Sequence, residues 1–527
     1  MAGQAHHTSA PPSAAGRHGG FRFTAVSPAA RPALGVLSPL TGYTPPPGAV
    51  RPADHPVAFA YDRPDDDTAV LTRTRFTGRD YTGRLGNHFC HALCAAPEEL
   101  AGLRPVELWD TPQRAPSPAP DDGHALPDLA ELVPGSAVGP DRVRRLLDAT
   151  GETGVRLLER LLTAALRALA GEGAGACLVS ADPERVVDWI AAVSYTLPAG
   201  LTARLTFTTY TARPEDDHRH LTGTRPETAG RAPAPVFDLD GLRQDGAPEP
   251  CATARFLARA WAGGRLDVVD AVADLWDAAP DQGARAGVRR LRAACALLAP
   301  DGTAVAPAGE PTGEPIGEPT GRDSPDCGLA DSGFADSGFA DSDFADSGLA
   351  GFVRAVAELR PQAAGVPPER VRDAAERHLA TLTAPLGDVR AALAPLPEPY
   401  RGAVLAGLLT ALEAAAAESR AEVLDAEACA FLASLADGAP GEEQDLLARA
   451  PRTALHALRR APGEPRRAGL RILRLHRRGL WEETETYEAL RDLVHAEEPE
   501  PERERERERE RGPRPLPWRR GHARERE

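Results

Sequence analysis

Apolar and polar residues alternate in short runs over the first part of the chain, then recur every three to four positions over most of the remainder. These are the periods of strand and helix. Residues 21–26 (FRFTAV) alternate and predict a short strand. Residues 57–61 and 69–76 flank the turn DRPDDD and predict a hairpin. Residues 105–109 (PVELW) read as a further strand, and prolines and glycines punctuate the rest. Residues 1–150 are therefore expected to form an N-terminal α+β domain.

The next stretch switches between periods. Residues 155–170 (VRLLERLLTAALRALA) carry helical spacing, 176–181 (ACLVSA) a strand, and 183–197 (PERVVDWIAAVSYTL) a helix. Ser180 and Asp182 are both suitable N-caps for that helix. Residues 205–210 (LTFTTY) and 233–239 (APVFDLD) are strand-like, giving a small α/β middle domain over 151–245.

From residue 246 onward the helical period dominates. Helices are expected at 251–263, 265–277, 283–299, 352–360, 368–384, 387–394, 399–417, 420–436, 442–449, 452–460, 465–478 and 481–496. No repeat of fixed length joins them, so a helical bundle or irregular array is expected rather than a regular solenoid. The C-terminal helical region divides into 246–299 and 351–496, separated by low-complexity sequence over 300–350. Residues 309–321 repeat every four positions and 328–352 every five. The second repeat has the wrong register for a pentapeptide β-helix and too few copies to close one. The segment reads as a disordered acidic linker. Residues 497–527, with their alternating Glu and Arg, read as a solvated tail.

Composition changes this picture in two places. All 61 basic residues of the 527 are arginine; there is no lysine. A phosphate-binding loop of the G-x-x-x-x-G-K-[ST] type needs that amine, as do Schiff-base and pyridoxal chemistries, so the chain is not itself a P-loop NTPase. The net charge is −16, of which −10 falls within 301–350. An acidic balance argues against nucleic acid as a partner. The seven cysteines are scattered and odd in number, a reduced cytoplasmic pattern. The first twenty residues lack an apolar core of the secretory type, and no apolar run is long enough to span a membrane.

Candidate chemistry concentrates in FTGRDYTGRLGNHFCHAL, residues 76–93. A metal at His88, Cys90, His91 and Cys94 would need these groups on one face. In a strand His91 shares a face with Phe89 and Leu93, while Cys90 and Cys94 take the other; in a helix the cysteines align with each other and His88 with His91. No metal is expected, although DDHRH at 216–220 supplies a second polar cluster. Arg79 and Arg84, with glycines that let backbone N–H groups approach, could grip an anion. The spacing fits no phosphate loop. No G-x-S-x-G elbow or cysteine–histidine arrangement stands out, so no catalytic residues and no cofactor are assigned.

Three blocks taken together, HHTSAPPSAAGRHGGFRFTAVSP (6–28), residues 76–93 with PVELW, and WIAAVSYTLPAGLTARLTFTTYTARP (189–214), resemble the actinobacterial GTPase-associated protein 1 family. The resemblance covers about residues 5–245; the helical remainder is similar in layout only. It implies an N-terminal domain of the second type, a middle domain and a C-terminal domain. It also implies a cytoplasmic adaptor or regulatory partner of a GTPase or other NTPase in NTP-dependent conflict systems. Within the matched motif, Arg79, Asp80, Gly83, Arg84, Gly86, Asn87, Phe89 and His91 sit where the family pattern has them. Arg79, Asp80, Arg84, Asn87 and His91 are the candidate ligand- or partner-binding residues. His88 stands in place of an expected aromatic residue, His7 in place of a tyrosine, and Cys90 and Cys94 in place of small apolar residues. The alternative reading is an enzyme or sensor that binds a nucleotide-like anion through Arg79, Arg84, Asn87 and His91.

Overall fold

The computed structural model describes residues 1–12, 18–49, 51, 54–119, 123–233, 235–277, 283–299, 348–361, 366–380, 392–397 and 399–417. The repeats at 309–321, most of 328–352, the helices expected beyond 417 and the Glu/Arg tail lie outside the described residues.

The strands are β1 (Gly3–Ala10), β2 (Gly20–Val26), β3 (Ala58–Asp62), β4 (Ala69–Arg79), β5 (Leu85–Ala95), β6 (His124–Ala125), β7 (Ala176–Val179), β8 (Phe207–Thr208), β9 (Leu221–Thr224), β10 (Val236–Asp238) and β11 (Arg243–Asp245). All eleven join one sheet in the order β11-β10-β7-β9-β8-β3-β4-β5-β1-β2-β6. Strands β3, β4, β5, β1 and β2 pair antiparallel, whereas β8, β9, β7 and β10 pair parallel. The two halves meet where β3 pairs antiparallel with β8, Ala60 opposite Thr208 and Tyr61 opposite Phe207. Hydrogen bonding thus continues from the N-terminal stretch into the middle one without an edge.

Both sheet faces are covered in the antiparallel half, and β5 shows how. Leu93 and Ala95 belong to a large core with Phe59, Tyr61, Leu71 and Phe207. The intervening Ala92 and Cys94 belong to a smaller core with Ala5, Ala30, Leu37 and Val70. The smaller core is closed by a turn of 3-10 helix, α1 (Leu34–Leu37) and a second 3-10 turn, Ser38–Thr41. The large core lies under α2 (Pro140–Leu169) and α3 (Pro183–Thr196). α2 bends at Gly151, whose φ of 56° is a left-handed conformation suited to glycine. Asp182 caps α3, accepting the Glu184 N–H at 2.9 Å. Ser180 instead donates to Asp240 at 2.8 Å and so ties the end of β7 to the turn after β10.

Short helices α4 (Ala199–Thr202) and α5 (Pro226–Ala229) follow within the parallel half. Beyond it come α6 (Ala252–Ala262), α7 (Leu266–Asp277), α8 (Ala284–Leu298), α9 (Gly348–Glu358), α10 (Pro368–Ala380) and α11 (Tyr400–Ala417). α6 packs on α2, and α8 touches α6, α7, α9 and α10. The protein is a mixed α+β, multidomain chain with a sheet-rich N-terminal part and helices in its C-terminal part. Among the described residues no helix is long and apolar enough to cross a membrane.

Three local expectations are corrected. PVELW forms a 3-10 turn over Pro105–Leu108, not a strand. Proline occupies its first position, and the Glu107 carboxylate accepts the Arg104 N–H at 3.0 Å. LTFTTY keeps only Phe207–Thr208 as strand, because Thr208 and Thr209 turn their hydroxyls to backbone groups of Tyr210 and Phe59. Residues 3–10, for which no element is expected from the sequence, supply β1, which lies between β2 and β5.

Candidate functional site

The motif at 76–93 is the β4–β5 hairpin. Its loop runs from Asp80 to Arg84 and closes with Asp80 N–H to the Arg84 carbonyl at 2.8 Å. Gly83, with φ of 84°, takes the left-handed position that the loop requires. One carboxylate oxygen of Asp80 accepts from the Thr82 N–H at 2.8 Å, the Thr82 hydroxyl at 2.6 Å and the Arg84 N–H at 2.9 Å. The Thr82 hydroxyl, followed by those two amides, holds the Asp80 carboxyl below its ordinary range. Arg79 donates to the Gly83 carbonyl at 2.6 Å. Asp80 and Arg79 thus staple the loop from opposite sides. Asp80→Ala is expected to leave the fold intact and to speed amide exchange at Thr82 and Arg84 selectively. Unchanged protection of both amides would refute the staple.

Asn87 sits where β5 meets the end of β1, its carbonyl oxygen accepting the Ser9 N–H at 3.3 Å and the Thr8 hydroxyl at 3.4 Å. His91 lies deep in the sheet. Its Nδ1 accepts the Ala115 N–H at 2.9 Å and its Nε2 faces the Gln4 side-chain oxygen at 3.0 Å. The imidazole is therefore neutral with the proton on Nε2. Burial, then the Arg114 charge, then His6, hold its pKa well below the usual value. From Leu85 at the loop to His91 is six strand steps, about 20 Å. The structure brings Arg79, Asp80 and Arg84 together at the loop and leaves Asn87 and His91 at successive depths below it.

β5 is a strand, so His91 faces one core while Cys90 and Cys94 face the other. Burial pushes both thiols up to about 11, which makes them poor nucleophiles. Among the described residues no group of three or more His, Cys, Asp or Glu side chains is arranged to hold a metal ion. His88 and His7 act as aromatic surfaces: His88 stacks on Phe21 with ring centroids 4.3 Å apart, and His7 on Phe21 at 5.9 Å. That explains why histidines serve at positions where aromatic residues are expected.

A second polar cluster lies where the two halves of the sheet join. Arg219 grips both carboxylate oxygens of Asp62 at 2.8 and 2.9 Å and donates to Asp217 at 2.6 Å. Asp217 also accepts from the Thr222 hydroxyl at 3.1 Å. His220 Nδ1 accepts the Thr206 N–H at 3.0 Å. DDHRH is therefore a clasp from the β9 side onto β3. Beside it lies a cleft of about 320 Å³ lined by Leu40, Arg63, Asp216 and His218 among others. Tyr61 and Arg63 both donate to the Ala203 carbonyl across the same seam. Asp62, expected as the first residue of the DRPDDD turn, instead ends β3 and turns its carboxylate to Arg219.

Exposed large apolar side chains gather near the hairpin. Tyr81 is 45% exposed, Leu85 58% and Phe21, on β2 beyond β1, 46%. With Arg79 and Arg84 they make an aromatic, aliphatic and cationic surface at the tip.

A protein from Mycolicibacterium smegmatis strain MKD8, SaeB, whose name describes ESX-1 scaffolding and assembly, is 31% identical over 157 residues. That match takes in 29% of this chain and 19% of the relative. The SaeB of strain ATCC 700084 / mc(2)155 matches with the same identity and coverage. The chain thus spans about a fifth of the length of these curated relatives. No solved structure matches significantly. Residues 1–132 match the N-terminal domain type 2 of GTPase-associated protein 1, and residues 146–241 match its middle domain. The first ends after β6 and the second begins within α2. Residues 1–132 and 146–241 are thus similar, in sequence order, to the first two domains of GTPase-associated protein 1.

Proposed function

We propose that the protein is a non-catalytic adaptor or regulatory partner of a GTPase in a bacterial NTP-dependent conflict system, acting in the cytoplasm. The observation that carries this reading is the pair of GTPase-associated domains in sequence order. The geometry fits it. The two domains share one sheet, which holds the β4–β5 hairpin on a fixed base. The hairpin's Asp80 and Thr82 are spent on shaping the loop, and its exposed groups are Tyr81, Leu85 and the two arginines. Aromatic and arginine side chains are the usual anchors of protein interfaces. The scaffolding role in the relatives' name supports an adaptor over an enzyme.

Affinity purification of the tagged protein from its native host is expected to recover a GTPase or other NTPase. Tyr81→Ala combined with Leu85→Ala is expected to reduce that recovery at least tenfold, since two central apolar anchors together contribute about 2 kcal/mol or more. Recovery of no NTPase with the unaltered protein would count decisively against the proposal.

A further inference from the structure

β4 places arginine twice where an inward strand position ordinarily carries an apolar side chain. Arg73 and Arg75 follow Leu71 on the same sheet face. The pairing registers set Phe59, Arg73, His91 and His6 in one row across four strands, with Arg75, Phe89 and Thr8 in the next. Residues 111–119 cross above this face. Ala115 donates to His91 Nδ1 at 2.9 Å and Ala119 to His6 Nδ1 at 3.0 Å. Just before Ala115, Arg114 donates to the His91 carbonyl at 2.8 Å and the Leu71 carbonyl at 3.3 Å. Its guanidinium lies 5.4 Å from the Phe59 ring centre, and that of Arg73 lies 5.6 Å from Trp109.

Three cations therefore converge without an acid. The carboxylates that Arg73 senses are Glu184 and Asp110. Glu184 is bound to Arg142 at 2.8 Å, and Asp110 caps the Ser136 and Ala137 N–H groups at 3.2 and 2.9 Å. The Nε atoms of Arg73, Arg75 and Arg114, Nη2 of Arg114 and Nε2 of His6 are buried without a hydrogen-bond partner. Burial, followed by the Arg75 charge, lowers the Arg73 pKa. Arg114 is brought down to about 9, again mainly by burial. Protein interiors rarely keep a charge in this state unless a counter-ion completes it.

We propose that Arg73 and Arg75 bind a phosphate dianion on this face, with Arg114 alongside as a fixed positive charge and His6 as a further N–H donor. Guanidinium forks suit tetrahedral oxyanions, and three gathered charges favour a dianion over a carboxylate. The phosphate could be free or the terminus of a nucleotide; the chemistry at the arginines is the same. This proposal is independent of the partner reading.

The test is a thermal-shift and calorimetric titration of the full chain with inorganic phosphate, with acetate and chloride at matched ionic strength, and with GTP and GDP. Phosphate is expected to raise the melting temperature saturably while acetate and chloride do not. Tighter binding of a nucleotide than of phosphate assigns the nucleotide terminus; equal or weaker binding assigns free phosphate. Arg73→Gln and Arg75→Gln are each expected to weaken phosphate binding roughly ten- to a hundredfold. In phosphate-free buffer both variants are expected to melt no lower than the unaltered protein, because each relieves repulsion. The proposal is overturned by the absence of a saturable phosphate response, by an undiminished response in the variants, or by lower melting of both without phosphate. Should Arg73→Gln fail to fold, Arg75→Gln, on a half-buried position, carries the same test.

Discussion

Replacing Arg219 with methionine is expected to destabilise the protein by about 3–5 kcal/mol, read from urea unfolding at neutral pH. The side chains of Arg219, Asp62 and Asp217 are only 20%, 13% and 6% exposed. Burial raises the Asp62 pKa despite the opposing pull of Arg219. Arg219 itself is held up by Asp62 and Asp217 against the burial that would lower it. The clasp therefore does not stabilise through surplus attraction. Its charges are offset only as a set, and removing the cation strands two carboxylates where water reaches poorly. The double variant Arg219→Met with Asp62→Leu should accordingly be less damaged than the sum of its two single changes. A loss of under about 0.5 kcal/mol in Arg219→Met would place the clasp among ordinary surface pairs and sink this account.

Acidification is expected to weaken the fold between pH 6.5 and about 4, well before most carboxylates protonate. His6, His7 and His220 each have a pKa lowered to about 4, in every case chiefly by burial. His124 adds to the effect on His6, and His88 to that on His7. An unfolded histidine titrates near 6.5, so between these values the unfolded chain holds more protons than the folded one. Stability is therefore complete above pH 6.5, falls as the pH drops toward 4, and is not lowered further by these groups below that. A fully buried group with this displacement contributes about 3 kcal/mol, and incomplete burial of the rings reduces that to roughly 2 each. Together the three approach the total stability of a typical domain, roughly 5–15 kcal/mol. Urea midpoints compared at about pH 7.5 and 5 should differ accordingly. A flat profile across that interval would show that the three rings are hydrated.

The sequence was most readable where pattern and environment agree. The hairpin flanking DRPDDD appears as β3 and β4, and ACLVSA as β7. The helices expected at 251–263, 265–277 and 283–299 appear as α6, α7 and α8. Each has an apolar face against one core, which is what a period reports. β1 was not readable because GQAHHTSA has almost no apolar side chain, yet nearly all of it is buried. Its histidines are neutral and accept backbone N–H groups or stack on rings, so they are interior residues despite their type. PVELW misled for the opposite reason: its apolar residues are buried, but proline at the first position and Glu107 at the third make a capped turn. The loop residues Arg79, Asp80 and Arg84 were legible as a unit because hairpin chemistry is local. The clasp of Asp62 and Arg219 was not, since 157 positions separate its partners.

The pairing of β3 with β8 carries a further consequence. Were the chain divided between residues 132 and 146, each fragment would expose a strand whose main-chain groups had lost their neighbour. The N-terminal fragment would lack the partner of Ala60 and Tyr61, and the other fragment would lack the partner of Phe207 and Thr208. Such edges are sticky toward any extended peptide, and most complementary toward each other. The two fragments are thus natural halves for reassembly, and neither is a safe module to graft alone onto another protein.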